Sequence, residues 1–262
     1  MKFCSIGSGS KGNGTLVRSD STCILIDSGF TVREIENRLA QKGLTALDLS
    51  AILITHEHSD HIKGVGPLAR KYRVPVYCSH GTAQYHGLGE IPSLRVIDSH
   101  DDFVIGDMTI TPVVVPHDAK EPTQFIVSQG AKKLGVLTDL GSLTPHIIDA
   151  YHGCHGLLIE TNHDVHMLKV GPYPAKLKQR VAGNLGHLNN QQAGWFLSQI
   201  ESSCLQHVVA THISEQNNSV ELALAELSQA LAWPTDNFIV ANQETGFDWQ
   251  GIELKSQEVL AG

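Results

Sequence analysis

The chain has few cysteines and none at metal-binding spacing. Cys4, Cys23, Cys78, Cys154 and Cys204 are scattered and odd in number, and no C-x-x-C pair occurs. This argues against both a disulfide scaffold and a cysteine–zinc site, and it suits a reducing cytoplasm, the expected location. Long hydrophobic runs are also missing. No segment reaches the length of a membrane span, and residues 1–7 lack the apolar core of a signal peptide, so no membrane partner is expected. Positive charge is scarce: 19 Lys and Arg stand against 27 Asp and Glu, a net charge of −8. That disfavours general electrostatic capture of nucleic acid and leaves room only for a local basic patch. Against these shortages stands a surplus, 15 histidines in a chain with five tyrosines and three tryptophans. It points to metal ligation.

Residues 4–15, CSIGSGSKGNGT, satisfy G-x-G-x-x-G at Gly7, Gly9 and Gly12. A dinucleotide site needs those glycines to open a helix whose N-terminus receives the pyrophosphate. The next residues, NGTLVRSDSTCILIDSG, read instead as strand, turn, strand. The motif lacks its context, and no dinucleotide cofactor is expected.

Downstream, the spacing of apolar residues predicts a helix over 31–41, a strand over 51–55, a helix over 65–72 and a strand over 74–78. Strand-like runs follow at 94–97, 102–105, 108–115, 123–127 and 134–137. Helices at 144–151, 173–181, 189–200 and 220–232 then intersperse with strands at 156–160, 207–211 and 237–241. Each half needs the other for burial. The expected fold is therefore α/β, one domain over 1–262, an αββα sandwich of two facing sheets with helices outside.

The strand AILIT runs into His56-Glu-His-Ser-Asp-His61, an H-x-H-x-D-H motif. Extended backbone places His56 and His58 on one side, and the turn brings Asp60 and His61 round. These nitrogen and oxygen donors can begin two adjacent metal sites. Further ligand types end other strands: Asp27 after CILI, His117 after VVVP, Asp139 after GVLT and His212 after VVAT. One such residue alone is an ordinary turn former; the set reads as a metal centre.

The order Asp27, H-x-H-x-D-H, His117, Asp139, His212 resembles the metallo-β-lactamase superfamily over almost the whole chain. Within it SIGSGSKGNGT, THEHSDHIKGV, PHDAKEP, IETNHD and GHLNN resemble the WalJ/YycJ subfamily of small metal-dependent nucleases. The resemblance implies two divalent metal ions, Zn²⁺ or Mn²⁺. It implies that His56, His58 and His117 hold one, that Asp60, His61 and His212 hold the other, and that Asp139 bridges them. Asp27 would orient ligands without binding metal. The glycine-rich stretch would rim the active site, with Ser10 and Asn13 as substrate contacts; a tight hairpin that needs glycine is the alternative reading.

Fold alone does not select a reaction. The resemblance places Glu160 and His187 beside the metals, where a carboxylate-held histidine makes a sensible general acid; with Asp60 they are the expected catalytic residues. Glu160 as a strand cap and His187 as a helix N-cap is the plainer alternative. Residues 161–200 contain Lys169, Lys176, Lys178 and Arg180 but only one acid, Asp164. Lys176, Lys178 and Arg180 suit phosphate contact, although a solvated helix face accounts for them too. The expected activity is two-metal phosphodiester hydrolysis, namely a DNA exonuclease working 5′ to 3′, with DNA ahead of RNA as partner. The alternative is a small-molecule cyclic phosphodiesterase of the phosphonate-pathway type. Ile62-Lys63 after the motif disfavours a thioester hydrolase, and the full ligand set disfavours a metal binder without turnover.

Overall fold

The computed structural model describes residues 1–254; positions 255–262 of the expected domain lie outside the described residues. The chain opens with β1 (Lys2–Gly7), β2 (Gly14–Arg18), β3 (Cys23–Ile26), α1 (Val32–Gln41), β4 (Ala51–Leu53), α2 (Ser59–Ile62) and α3 (Val65–Tyr72). It continues through β5 (Val76–Cys78), α4 (His80–Ala83), β6 (Leu94–Val96), β7 (Phe103–Ile105), β8 (Met108–Val114) and β9 (Thr123–Gln129). After these come β10 (Lys132–Leu137), α5 (Pro145–Ala150), β11 (Gly156–Glu160), α6 (Val165–Val170), α7 (Ala175–Val181) and α8 (Asn190–Gln199). The last elements are β12 (His207–Thr211), α9 (Val220–Leu231), β13 (Ile239–Val240) and β14 (Phe247–Gly251).

Two compact units result. The first comprises Met1–Val114, Ala119–Lys133 and the chain from Asn242; the second comprises Val115–Asp118 and Leu134–Ala241. In the first unit a seven-stranded sheet runs β14-β1-β2-β3-β4-β5-β6. It is antiparallel from β14 to β3 and parallel from β3 to β6. All four residues of β3, CILI, are buried, as expected of a strand covered on both faces. A capping box between Thr31 and Glu34 starts α1, which buries Ile35 and Leu39. The glycine-rich segment is strand, loop, strand, with no helix after Gly12.

The other strands form a second seven-stranded sheet. Within the first unit its β7, β8 and β9 make an antiparallel meander. Within the second unit β10, β11, β12 and β13 are parallel. GLLIE of β11 is buried at every residue. The functional residues of this unit follow from that arrangement, because parallel strands deliver their C-terminal ends to one edge.

Four elements went unanticipated. α2 and α4 are single turns, too short for a periodic signal, and α6 spans only six residues. The edge strand β14, FDWQG, has no run of buried residues. It forms because β1 pairs with it across the length of the chain and because Trp249 Nε1 donates to Lys42 O at 3.0 Å.

Candidate functional site

In the first unit the H-x-H-x-D-H motif leaves β4 and turns through α2. Its imidazoles are oriented by a buried network. Thr55 donates twice to Asp27, from its amide to Oδ1 at 2.9 Å and from its hydroxyl to Oδ2 at 2.8 Å. The same hydroxyl lies 2.9 Å from His56 Nδ1, and Asp27 Oδ2 lies 2.7 Å from His61 Nδ1. With both Nδ1 atoms engaged as donors, Nε2 of His56 and of His61 carries the lone pair. His56 Nε2 sits 3.0 Å from His58 Nδ1, and His61 Nε2 sits 3.4 Å from Asp60 Oδ2. The glycine-rich loop touches this motif through Asn13, whose amide N–H donates to Asp60 O at 2.8 Å. Gly29 is required beside it, since a Cβ there would stand 1.7 Å from Asp60 O.

In the second unit Asp139, Glu160, His187 and His212 bring donor atoms within 4.8 Å of one another. Glu160, fully buried at the end of β11, is the hub. Its Oε2 accepts from the amides of Leu140 (3.3 Å) and Leu188 (3.0 Å). Its Oε1 lies 2.7 Å from His187 Nδ1 and 2.9 Å from His212 Nδ1. Asp139 Oδ1 is 3.5 Å from His187 Nδ1 and 3.4 Å from His212 Nδ1. Burial alone would raise the Glu160 carboxyl, but the His187 charge and the bonds from His187 and His212 hold it at about 2. For His187 burial acts to lower the pKa; the charge and hydrogen bond of Glu160 and the charge of Asp139 outweigh it and raise the imidazole above its usual value. His117, also in this unit, lies with Nδ1 3.0 Å from Gly186 O, which leaves the lone pair on Nε2.

The backbone marks the same residues. Among the described residues, five non-glycine residues have positive φ. Arg73 and Ala232 are helix C-caps, where the left-handed conformation is ordinary. The others are Asp27 (62°), Asp139 (53°) and His212 (53°), three of the strand-end residues singled out by the sequence. Left-handed backbone disfavours side chains with a Cβ, and its persistence is a functional signature. The donor set suits a divalent cation. Buried carboxylates and imidazole nitrogens face one another at hydrogen-bond distance, all hard or borderline donors without a thiolate.

Asn13, expected as a substrate contact, is buried, and its side chain is used within the loop. Its Oδ1 accepts from Gly9 N at 2.8 Å, and its Nδ2 donates to Gly9 O at 3.1 Å and lies 3.1 Å from His61 Nε2. Ser10 is exposed at the loop tip. On α7, Lys178 Nζ donates to Lys169 O at 2.8 Å, and Arg180 pairs with Asp118 at 2.5 Å; Lys176 stands exposed. The N-cap of α8 is Asn189, not His187. His163 is buried after β11, and burial lowers its pKa to about 4. Sequence reasoning missed Thr55, and also Asn162, whose Nδ2 donates to His212 O at 3.1 Å. Both are neighbours of motif residues, which was the only signal available.

Comparison with known proteins gives concordant matches. A family model described as a β-lactamase superfamily domain matches residues 22–213. The exodeoxyribonuclease YycJ of Bacillus anthracis is 36% identical over 235 residues, covering 88% of this chain and 89% of that protein. The exodeoxyribonuclease WalJ of Streptococcus pneumoniae is 34% identical over 238 residues, covering 88% of each. Among solved structures, the metallo-β-lactamase fold protein YhfI of Bacillus subtilis aligns with a TM-score of 0.73 at 18% identity, over 95% of this chain and 99% of that one. The fold, two mixed sheets with helices, is thus the αββα sandwich of that type.

Proposed function

This chain belongs to the metallo-β-lactamase superfamily, and on that premise we propose that it is a metal-dependent nuclease, a DNA exonuclease that degrades from the 5′ end. The observation that carries the reading is the Glu160–His187 pair, a buried carboxylate 2.7 Å from an imidazole beside Asp139 and His212. A phosphodiester leaves an alkoxide that must be protonated, and an imidazole held by a carboxylate is a suitable donor for it. The names of the Bacillus anthracis and Streptococcus pneumoniae relatives support DNA as the substrate.

In this reading His56, His58 and His117 would hold one divalent ion, Asp60, His61 and His212 would hold the other, and Asp139 would serve both. Asp27 and Thr55 keep the imidazoles in register. Zn²⁺ or Mn²⁺ bound there supplies Lewis acidity, lowering the pKa of the attacking water and offsetting charge on the phosphate. The protein residues do the remainder. Glu160 fixes His187 through Nδ1 and stabilises its protonated form, so Nε2 delivers the proton to the leaving oxygen. The amides of Leu140 and Leu188 hold Glu160 against rotation.

The test incubates purified protein with 5′-labelled and 3′-labelled single-stranded and duplex DNA in Mn²⁺, Zn²⁺ or EDTA, beside His58→Ala. The expected result is mononucleotide release from the 5′ end that needs metal and is lost in the variant. Turnover of a cyclic phosphodiester with no cleavage of any polymer would overturn the reading.

A further inference from the structure

A cavity of about 600 Å³ opens in the first unit, lined by Gln84, Tyr85, His86, Leu88, Ile91 and Lys120 among others. None of these belongs to the metal motif, yet the cavity is tied to it. The amide of Lys120 donates to Glu57 Oε1 at 2.9 Å, and Glu57 is the residue between His56 and His58. The neighbouring Glu121 then fastens the opposite wall. Its Oε2 accepts from Gly81 N at 2.7 Å, its carbonyl from Ser79 Oγ at 2.8 Å, and its Oε1 from Ser99 Oγ at 2.7 Å. The loop that follows His117 and the segment after β5 are thus one fixed rim.

The floor is equally held. Arg70 Nη1 donates to Leu88 O at 3.1 Å and to Glu90 O at 3.0 Å. The Tyr85 ring lies where a side chain at Gly87 would stand, since a Cβ there would come within 2.3 Å of it. The ring is nevertheless 39% exposed. Lys120 is exposed too, and its ammonium makes no ion pair with any described residue. An exposed aromatic ring, a lysine ammonium, amide and imidazole groups and the apolar side chains of Leu88 and Ile91 thus share one cavity. Its volume is in the range of small-ligand sites.

We propose that this cavity is a nucleotide subsite for the nuclease. It takes one nucleotide of the DNA next to the scissile bond, with the base stacked on Tyr85 and a phosphate on Lys120. The inference rests on the nuclease reading. Stacking on an aromatic face tolerates every base, and a lysine neutralises phosphate as a point charge, so the subsite has the chemistry an exonuclease without sequence preference needs. The bond from the Lys120 amide to Glu57 ties the cavity rim to the segment that carries His56 and His58.

The experiment uses the metal-loaded full chain as wild type, Tyr85→Ala and Lys120→Ala. Calorimetric titration with dAMP, and with deoxyadenosine as the phosphate-free control, is run beside steady-state cleavage of single-stranded DNA. Tyr85→Ala is expected to weaken dAMP and deoxyadenosine alike, about tenfold. Lys120→Ala is expected to weaken dAMP but leave deoxyadenosine unchanged. Both variants should raise KM for DNA with kcat within about twofold. Wild-type affinity for dAMP in both variants would overturn the subsite. If wild type cleaves no DNA, the nuclease reading fails by itself; the dAMP titration still decides the cavity, because weaker binding in both variants keeps it as a nucleotide site and unchanged binding removes it.

Discussion

Glu160 shows how much one buried residue can arrange. It has no exposure, yet it accepts two backbone amides and faces two imidazoles. A buried carboxylate of this kind is tolerated only when fully partnered. Its removal therefore changes the chemistry of its partners. Glu160→Gln keeps the shape but loses the charge that stabilises protonated His187. We expect kcat for DNA cleavage to fall by about 10²- to 10³-fold with KM nearly unchanged, as measured by single-turnover and steady-state kinetics. An unchanged kcat would remove His187 from the proton-transfer role. Asp27, Asp139 and His212 make the companion point, since their positive φ marks strand ends that turn abruptly after a buried run. The residue types at these positions are readable in sequence; the strain is not.

At the scale of elements, α7 is informative because nothing in it is buried. Its charges would be dismissed as a solvated face, but its C-terminal end is joined to the candidate acid: the amide of His187 donates to Val181 O at 2.9 Å. The helix also sorts its own basic residues. Lys178 satisfies a carbonyl and Arg180 pairs with Asp118, whereas Lys176 is exposed. Lys176→Ala should therefore reduce the slope of log affinity against log salt by about 1, and Lys178→Ala by less. Fluorescence anisotropy with a labelled oligonucleotide at several salt concentrations measures both. Equal slopes for wild type and Lys176→Ala would exclude α7 from the phosphate-binding surface.

At the scale of the whole molecule, the net charge of −8 bears on both substrate and stability. A polyanion is repelled by most of such a surface, so affinity has to come from a few local cations. The acids themselves respond to pH. Asp107, in the turn between β7 and β8, accepts from Ser19 at 2.7 Å, Ser21 at 2.9 Å and Gln129 at 2.7 Å. Hydrogen bonds from Thr22 and Ser19, joined by those of Ser21 and Gln129, hold its carboxyl well below the usual 3.8. A depressed folded-state pKa contributes stability above about pH 4 and loses it as pH falls below that value. Asp107 is exposed, so the contribution is small. Asp107→Asn should lower the urea midpoint slightly at pH 7, and the difference from wild type should shrink by pH 3. A difference as large at pH 3 as at pH 7 would mean that the effect is not electrostatic.

That Glu160 and His187 meet came from the structure; the sequence by itself determined the candidate ligand types and the strand and helix pattern that places them at strand ends. Those features are local: a buried strand shows as a run of apolar residues, and a turn shows in the polar and glycine residues that end the run. The tertiary structure decided what depends on pairing across the chain. β14 exists only because β1 lies beside it, and the Asn13 side chain is engaged within the loop because Gly9 and Asp60 fold onto its amide. Thr55 became an orienting residue only when Asp27, distant in sequence, came within 2.8 Å of its hydroxyl. The cavity beside Glu57 obeys the same rule. Its ring and apolar wall come from one segment and its cation, Lys120, from another, and no period or spacing in the sequence records that they meet.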